Sequence, residues 1–180
     1  MSAPLKTENS KSKTAAVPAC WRGDVQRVLI TNARLERRIR AMAREIERDF
    51  RGRETVIISL LNGTVVFLAD LIRQLTLPLR LDFIGVSSYG SGTESGALVF
   101  TKELRLDVRG CDVLLVDDIL DTGKTMSRVL PKIRADYVGF TIPDFFVVGF
   151  GLDYAERYRN LPFIGVLHPR VYAEPSGRQE

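Results

Sequence analysis

The sequence predicts a three-layer α/β domain on a mainly parallel sheet, with its site at the carboxyl ends of the strands. Three observations carry this. Val113, Leu114, Leu115 and Val116 form an unbroken apolar run that stops at Asp117 and Asp118, crosses a short loop and enters a helical stretch. Glu54 to Leu61, rich in β-branched residues, repeats the arrangement, leading through Asn62-Gly63-Thr64 into a helix to about Gln74. Between Asn32 and Phe50, Leu35, Ile39, Met42, Ile46 and Phe50 recur at helical spacing. Strands that alternate with helices through tight turns wind parallel sheets.

Bulk properties narrow the class. A chain of 180 residues, 45% hydrophobic and 27% charged, suits one domain with a sizeable core. The pI near 9.3 reflects a formal surplus of only +4. Eight arginines against four acids between Thr31 and Arg53 equal that whole excess. Such a field suits anionic substrates as well as nucleic acid. A DNA-reading helix would need a turn and a second recognition helix, and none follows in that pattern, so no nucleic-acid partner is expected. Cys20 and Cys111 lie far apart, which speaks against a disulfide framework or a metal cluster. The longest uncharged run, Thr55 to Ala69, is too short and too polar for a bilayer, and the N-terminus lacks an apolar signal region. The expectation is a cytoplasmic protein with no membrane contact.

In chain order, residues 1–19 are polar, aperiodic and expected to be a disordered tail, and 174–180 a frayed one, leaving 20–173 as the domain. Asn32 is the expected N-cap of the first helix, whose Arg37, Arg40, Arg44 and Arg48 share a solvent face. Leu79 to Tyr89 and Leu98 to Leu106 read as strands, joined by a segment with three glycines in seven residues. Phe145 to Val148 and Phe163 to Leu167 close the strand list, with Asp153 to Asn160 a polar turn between them. His168, the one histidine, follows the last strand and is expected at the surface.

The chemistry centres on Asp117-Asp118-Ile119-Leu120-Asp121-Thr122-Gly123-Lys124-Thr125. A strand that feeds a helix through a glycine turn leaves first-turn N–H groups unpaired at a positive dipole end, which suits phosphate. Gly123 allows close approach, and Thr122 and Thr125 add donors. A Walker A loop would need glycine where Asp118 stands, and an EF-hand would need alternating rather than adjacent acids. The plain alternative is a strand ending in solvated aspartates. The turn at Leu61, Asn62 and Gly63 forms a second oxyanion candidate.

This stretch resembles the phosphoribosyl-pyrophosphate (PRPP) signature of type I phosphoribosyltransferases. The later stretch from Ile142 to Pro162, with Phe145-Phe146-Val147-Val148 and Asp153 to Arg159, resembles the hypoxanthine-guanine branch. The resemblance covers about Val25 to Val171. It implies the family's sheet with a small hood from the terminal segments. It places Asp117 and Asp118 at the ribose hydroxyls and Asp121 beside the purine N7 as general acid/base. Thr122, Gly123, Lys124 and Thr125 would bind the 5′-phosphate. Ile119 and Phe146 would sandwich the base while the Val147 backbone reads its edge. Asp153 would bind Mg²⁺, the implied cofactor, and Arg159 the pyrophosphate. The backbone of Leu61, Asn62 and Gly63 would also hold pyrophosphate, with Asn62 standing where relatives carry lysine. Ser88 and Tyr89 would close over it as part of a lid.

One departure is large. Pro131 interrupts the helix after Gly123, and Asp136 to Phe140 follow almost at once, too soon for an ordinary crossover. The resemblance implies that the helix end, one sheet strand and the loop with the family's base-reading lysine are missing; Lys132 is the nearest lysine in sequence. The expected function is purine salvage, with PRPP and a 6-oxopurine as substrates and a homodimer or homotetramer as assembly. The alternative is a PRPP- or nucleotide-binding regulator that has lost catalysis, and RNA or DNA binding by the arginine-rich helix ranks last.

Overall fold

The computed structural model describes residues 17–88, 98–120 and 135–173, with backbone alone for 86–88 and 98–99. It divides into two compact units, one formed by residues 39–137 and the other by residues 1–38 with 138–180.

The first unit holds the larger sheet. Its strands are β2 (Thr55–Leu61), β3 (Leu79–Ser88), β4 (Leu98–Lys102) and β5 (Asp112–Val116), in the order β4-β3-β2-β5. β2 runs parallel to β3 and to β5, and β4 is antiparallel to β3. The class is therefore α/β with a mixed, mostly parallel sheet, as the sequence predicts. β2 is buried along nearly its whole length, from Thr55 to Leu60, because it has a strand on each side. α2 (Val65–Ile72) follows it and buries Leu68 and Leu71. Thr64 begins that crossover in place. Its hydroxyl takes a hydrogen bond from the Ser59 hydroxyl at 2.7 Å and donates to the Leu60 carbonyl. No helix among the described residues is long and apolar enough to cross a membrane.

The run Val113–Val116 is the correction here. Its four apolar residues suggest a strand covered on both faces, yet β5 is the last strand of the described sheet and Val113 stays 40% exposed. Leu114 and Val116, one residue apart in the period-two pleat, supply its buried face. The continuous burial belongs to β2 instead.

Asp82 fastens the β3–β4 hairpin at its base. Its buried carboxylate accepts from Lys102 Nζ at 2.7 Å and from the amides of Phe83, Arg105 and Leu106 at 2.8, 2.6 and 3.0 Å. The lysine first, then the amides, hold its carboxyl far below the usual carboxylate range. Asp82→Asn keeps the shape but turns donors toward donors. With Lys102 nearly one-third exposed and the pair discounted for screening, a loss of about 2–3 kcal/mol is expected. Because the native pKa is depressed, the wild-type contribution is present above about pH 4 and fades as the pH falls further. Urea denaturation of the two proteins at pH 7 and pH 3 checks this, and equal midpoints at pH 7 would refute it.

The second unit carries the smaller sheet of β1 (Val25–Ile30), β6 (Val147–Val148) and β7 (Ile164–Leu167), antiparallel and ordered β1-β7-β6. A short helix α3 (Pro169–Tyr172) follows β7. Val25, Val28, Val148, Tyr158, Leu161, Phe163 and Leu167 form its core. Val17, assigned by sequence to the tail, is 1% exposed within that core, and a 3₁₀ turn occupies Ala19–Trp21. Trp21 meets Tyr158 at 4.6 Å between ring centroids, and the Tyr158 hydroxyl donates to Asp24 at 3.0 Å.

α1 (Asn32–Asp49) buries Leu35, Ile39, Met42 and Ile46 of the predicted stripe, with Ala43 beside them, while Phe50, the last residue of that stripe, falls just past the helix and is only partly buried. Its first carbonyl acceptor is Thr31, bonded by the Leu35 amide at 3.1 Å. Asn32 lies inside the helix, where its side chain donates to Glu36 at 2.9 Å. The N-cap expectation is therefore off by one residue. The predicted tail 174–180 lies outside the described residues.

Candidate active site

Two groups of the predicted residues come together, one in each unit. In the first, β5 ends at Val116 and delivers Asp117 and Asp118 at its carboxyl end. β2, its parallel neighbour in register from Thr55↔Asp112 to Ser59↔Val116, ends at Leu61 and delivers Asn62 and Gly63 to the same end. Adjacent parallel strands point their carboxyl termini the same way, so this placement follows from topology. The Leu61–Asn62 peptide bond is cis. Asn62 is exposed, and the Val65 amide bonds its carbonyl at 3.2 Å.

Asp118 closes the gap between the two strand ends. Its carboxylate lies where a Cβ on Gly63 would stand, against both the Oδ2 and Cγ atoms. The absence of a side chain at position 63 is thus what lets an acid from β5 reach the β2 turn. The Asp118 amide donates to Asp117 Oδ1 at 3.0 Å. Burial first, then the hydrogen bond and charge of Asp118, push the Asp117 carboxyl up to about 7. A carboxyl in a half-buried place beside a second acid favours its neutral form.

That shift has a sign. A carboxyl whose folded pKa lies above its unfolded value makes the folded chain hold more protons between about pH 4 and pH 7, so stability falls as the pH rises through that window. Asp117→Asn removes the buried charge. It is expected to gain on the order of 1–2 kcal/mol over wild type at pH 8 and little at pH 4. Chemical denaturation at the two pH values measures this; a variant that keeps the wild-type pH dependence would contradict it.

Ile119 and Leu120 continue beyond the acids and are exposed. Asp121, Thr122, Gly123, Lys124 and Thr125, the predicted phosphate loop, lie outside the described residues, as do Tyr89 and Lys132. Ser88 is the last residue of β3, paired with Leu98 across the hairpin.

In the second unit, Phe146 precedes β6 and is 40% exposed, whereas Val147 is buried. The Phe146 carbonyl accepts from the Leu167 amide at 2.8 Å, so β7 fixes its backbone. The chain then turns through Gly149, at φ +95°, into a compact loop. Asp153 and Arg159 meet there: Arg159 lies 2.9 Å from Asp153 Oδ1, 3.0 Å from Glu156 and 2.9 Å from the Gly151 carbonyl. The other Asp153 oxygen accepts from the Glu156 amide at 2.9 Å. Two residues expected to take different ligands are therefore ion-paired with each other. Among the described residues no cluster of three metal-ligating side chains occurs.

Sequence reasoning missed the aromatic company of Phe146. Tyr172 stacks on it with ring centroids 4.5 Å apart and planes 16° apart, and Tyr154 meets its edge at 5.4 Å and 86°. Neither tyrosine stands at a spacing that would reveal this. Asp82 was equally silent, an acid within an otherwise unremarkable strand.

Known proteins resemble this chain in sequence and fold. The phosphoribosyl transferase domain family matches residues 28–138. A bifunctional protein TilS/HprT of Listeria innocua is 41% identical over 84% of the chain, which spans 27% of that longer protein. The hypoxanthine-guanine phosphoribosyltransferase of Mycobacterium avium is 40% identical, with 92% of this chain and 97% of that one covered. Its alignment runs over 197 positions, whereas 92% of this chain is about 166 residues, so about 30 positions lack a counterpart here. A crystal structure of a hypoxanthine phosphoribosyltransferase from Staphylococcus aureus superposes with a TM-score of 0.80 at 36% identity, covering 88% of this chain and all of that one. The chain belongs to the phosphoribosyltransferase family, in its hypoxanthine-guanine branch.

Proposed function

We propose that the chain works in purine salvage, transferring the phosphoribosyl group of PRPP to hypoxanthine or guanine to give IMP or GMP and pyrophosphate, in the cytoplasm and as a homodimer or homotetramer. The observation that carries this reading is the meeting of Asp118, with Asp117 bonded beside it, and the Gly63 turn at the ends of β5 and β2.

The reaction breaks the bond from ribose C1 to the pyrophosphate oxygen and forms one to a purine ring nitrogen. Positive charge builds on the ribose between these events. Asp117 and Asp118 hold the ribose hydroxyls, and carboxylate charge beside the ribose opposes the positive charge that develops there. The amides of Leu61, Asn62 and Gly63 receive the leaving pyrophosphate. Asn62 contributes no charge there; Arg159 is proposed to bind pyrophosphate through its guanidinium. Thr122, Gly123, Lys124 and Thr125 hold the 5′-phosphate. Asp121 manages the proton at the purine N7. Phe146 and Ile119 stack the base, and the Val147 backbone reads its edge.

Mg²⁺ fits the donors present. Asp153 offers hard carboxylate oxygens, and Mg²⁺ characteristically takes one or two carboxylates with substrate oxygens and water completing its shell. When bound, it neutralises pyrophosphate charge and makes that group a better leaving group. Asp153, which pairs with Arg159 in this structure, would hold the ion through a carboxylate oxygen.

Purified protein incubated with Mg²⁺, PRPP and each of hypoxanthine, guanine, xanthine and adenine tests the reading through pyrophosphate release. Turnover with a 6-oxopurine, lost when the metal is chelated, is expected. A folded protein that releases no pyrophosphate with any of the four would overturn it.

A further inference from the structure

Phe146 stands immediately before the two-residue strand β6, where a phenyl ring with 40% exposure has little backbone to fix its plane. The structure supplies two rings that do. Tyr172 lies nearly parallel at 4.5 Å on one face, and Tyr154 presents at 5.4 Å against an edge. Offset stacking and edge-to-face contacts are the two favoured aromatic geometries, and here one ring receives both.

The backbone is arranged to hold Tyr172 in that place. The Leu167 amide bonds the Phe146 carbonyl at 2.8 Å, tying the end of β7 to the phenylalanine itself. One residue on, the His168 amide bonds the Asp24 carbonyl at 2.7 Å, and α3 begins. Its turn is closed by Val171 N–H to the His168 carbonyl at 2.9 Å and Ala173 N–H to the Pro169 carbonyl at 2.7 Å. The Arg170 guanidinium donates to the Gly23 carbonyl, anchoring α3 to the segment before β1. Val171 and Tyr172 pack against the core of this unit. Five residues after the hydrogen bond to Phe146, the chain thus returns a tyrosine to the same ring from a rigid support.

We propose that Tyr172, aided by Tyr154, is a positioning residue for the purine: it fills one face of Phe146 so that the base takes the opposite face in a three-ring stack. The inference rests on the reading of Phe146 as the stacking residue and deepens it. A phenyl ring stacked on one side cannot tilt without losing that contact, so its open face is presented at a fixed angle. A base arriving there meets a preorganised surface and does not have to order one.

Steady-state kinetics of Tyr172→Ala, Tyr172→Leu, Tyr172→Phe and Tyr154→Ala test this, with purine and PRPP varied separately. Loss of one aromatic contact predicts a rise of about 3- to 10-fold in KM for hypoxanthine and guanine, with KM for PRPP changed less than about 2-fold. Tyr172→Leu guards against a folding defect because it keeps apolar bulk without a ring, and it should behave as Tyr172→Ala does. Tyr172→Phe should recover most of the loss, and Tyr154→Ala should show a smaller rise. Calorimetric titration with GMP gives a second readout free of turnover, with a matching loss of affinity expected. A purine KM that stays level or falls in both Tyr172→Ala and Tyr172→Leu would overturn the inference, a fall meaning that Tyr172 blocks the base. An equal rise in KM for PRPP would overturn it too, since that marks general damage. If wild type binds GMP but affinity ignores position 172, this inference alone fails. If wild type binds neither GMP nor PRPP, the functional reading fails and takes the inference with it.

Discussion

Gly63→Ala is expected to remove most of the phosphoribosyl transfer while leaving the chain folded. The argument lies in which atom the new methyl would meet. It would collide with the tip of the Asp118 side chain and with no backbone atom. A carboxylate tip can swing aside, so the folded state relaxes and the stability cost stays at roughly 1 kcal/mol. What cannot relax is the function, because an Asp118 carboxylate swung aside no longer stands where it is proposed to hold a ribose hydroxyl. Displacement of a reacting contact by about 1 Å costs on the order of 10²-fold, and kcat/KM should fall by at least that much. Denaturation midpoints and pyrophosphate-release kinetics on the same preparation separate the two effects. A variant with wild-type kcat/KM would mean that Asp118 and the β2 turn do not act together.

Gly149→Ala is the opposite case. Gly149 has φ +95°, which costs any L side chain, and its added methyl would run into the carbonyl oxygen of Phe163 and close against Leu161 Cβ at 3.1 Å. The Phe163 carbonyl belongs to backbone entering β7, whose strand pairs with both β1 and β6, so it has nowhere to go. Backbone strain and overpacking each run to about 1–3 kcal/mol, and together about 3–5 kcal/mol is expected. For a domain of ordinary stability that is a large fraction of the total. The variant's melting midpoint should drop by roughly 10 °C or more. Differential scanning calorimetry decides it, and an unchanged midpoint would mean that the turn is built differently.

These two glycines also show how far the chain could be read before its structure was known. Gly63 was legible as part of a strand–turn–helix junction, because Glu54 to Leu61 announces a buried strand and Asn62-Gly63-Thr64 a turn. Its reason for being glycine was not legible, since that reason is a side chain some fifty residues away. The same limit explains the exchange of roles between β2 and β5. Apolar composition reports burial poorly when the neighbour that would cover a strand is decided by topology, so Val113–Val116 read as central although β5 ends the described sheet. The purine-side residues divide likewise. Phe146, Asp153 and Arg159 were placed by resemblance to a family, whereas the Asp153–Arg159 pair and the Tyr172–Phe146 stack depend on a chain return that no local pattern encodes. Helix α1 needed nothing of this kind, because its stripe of Leu35, Ile39, Met42 and Ile46 is a local periodicity, and only its two ends shifted, each by one residue.

The reading therefore depends on what sits at the joined ends of β2 and β5, and a crystal of the protein with PRPP and Mg²⁺ examines that place directly. The ribose hydroxyls should lie within hydrogen-bond reach of Asp117 and Asp118, with the pyrophosphate over the amides of residues 61–63. PRPP bound away from these carboxylates, in a protein that still turns it over, would contradict the account.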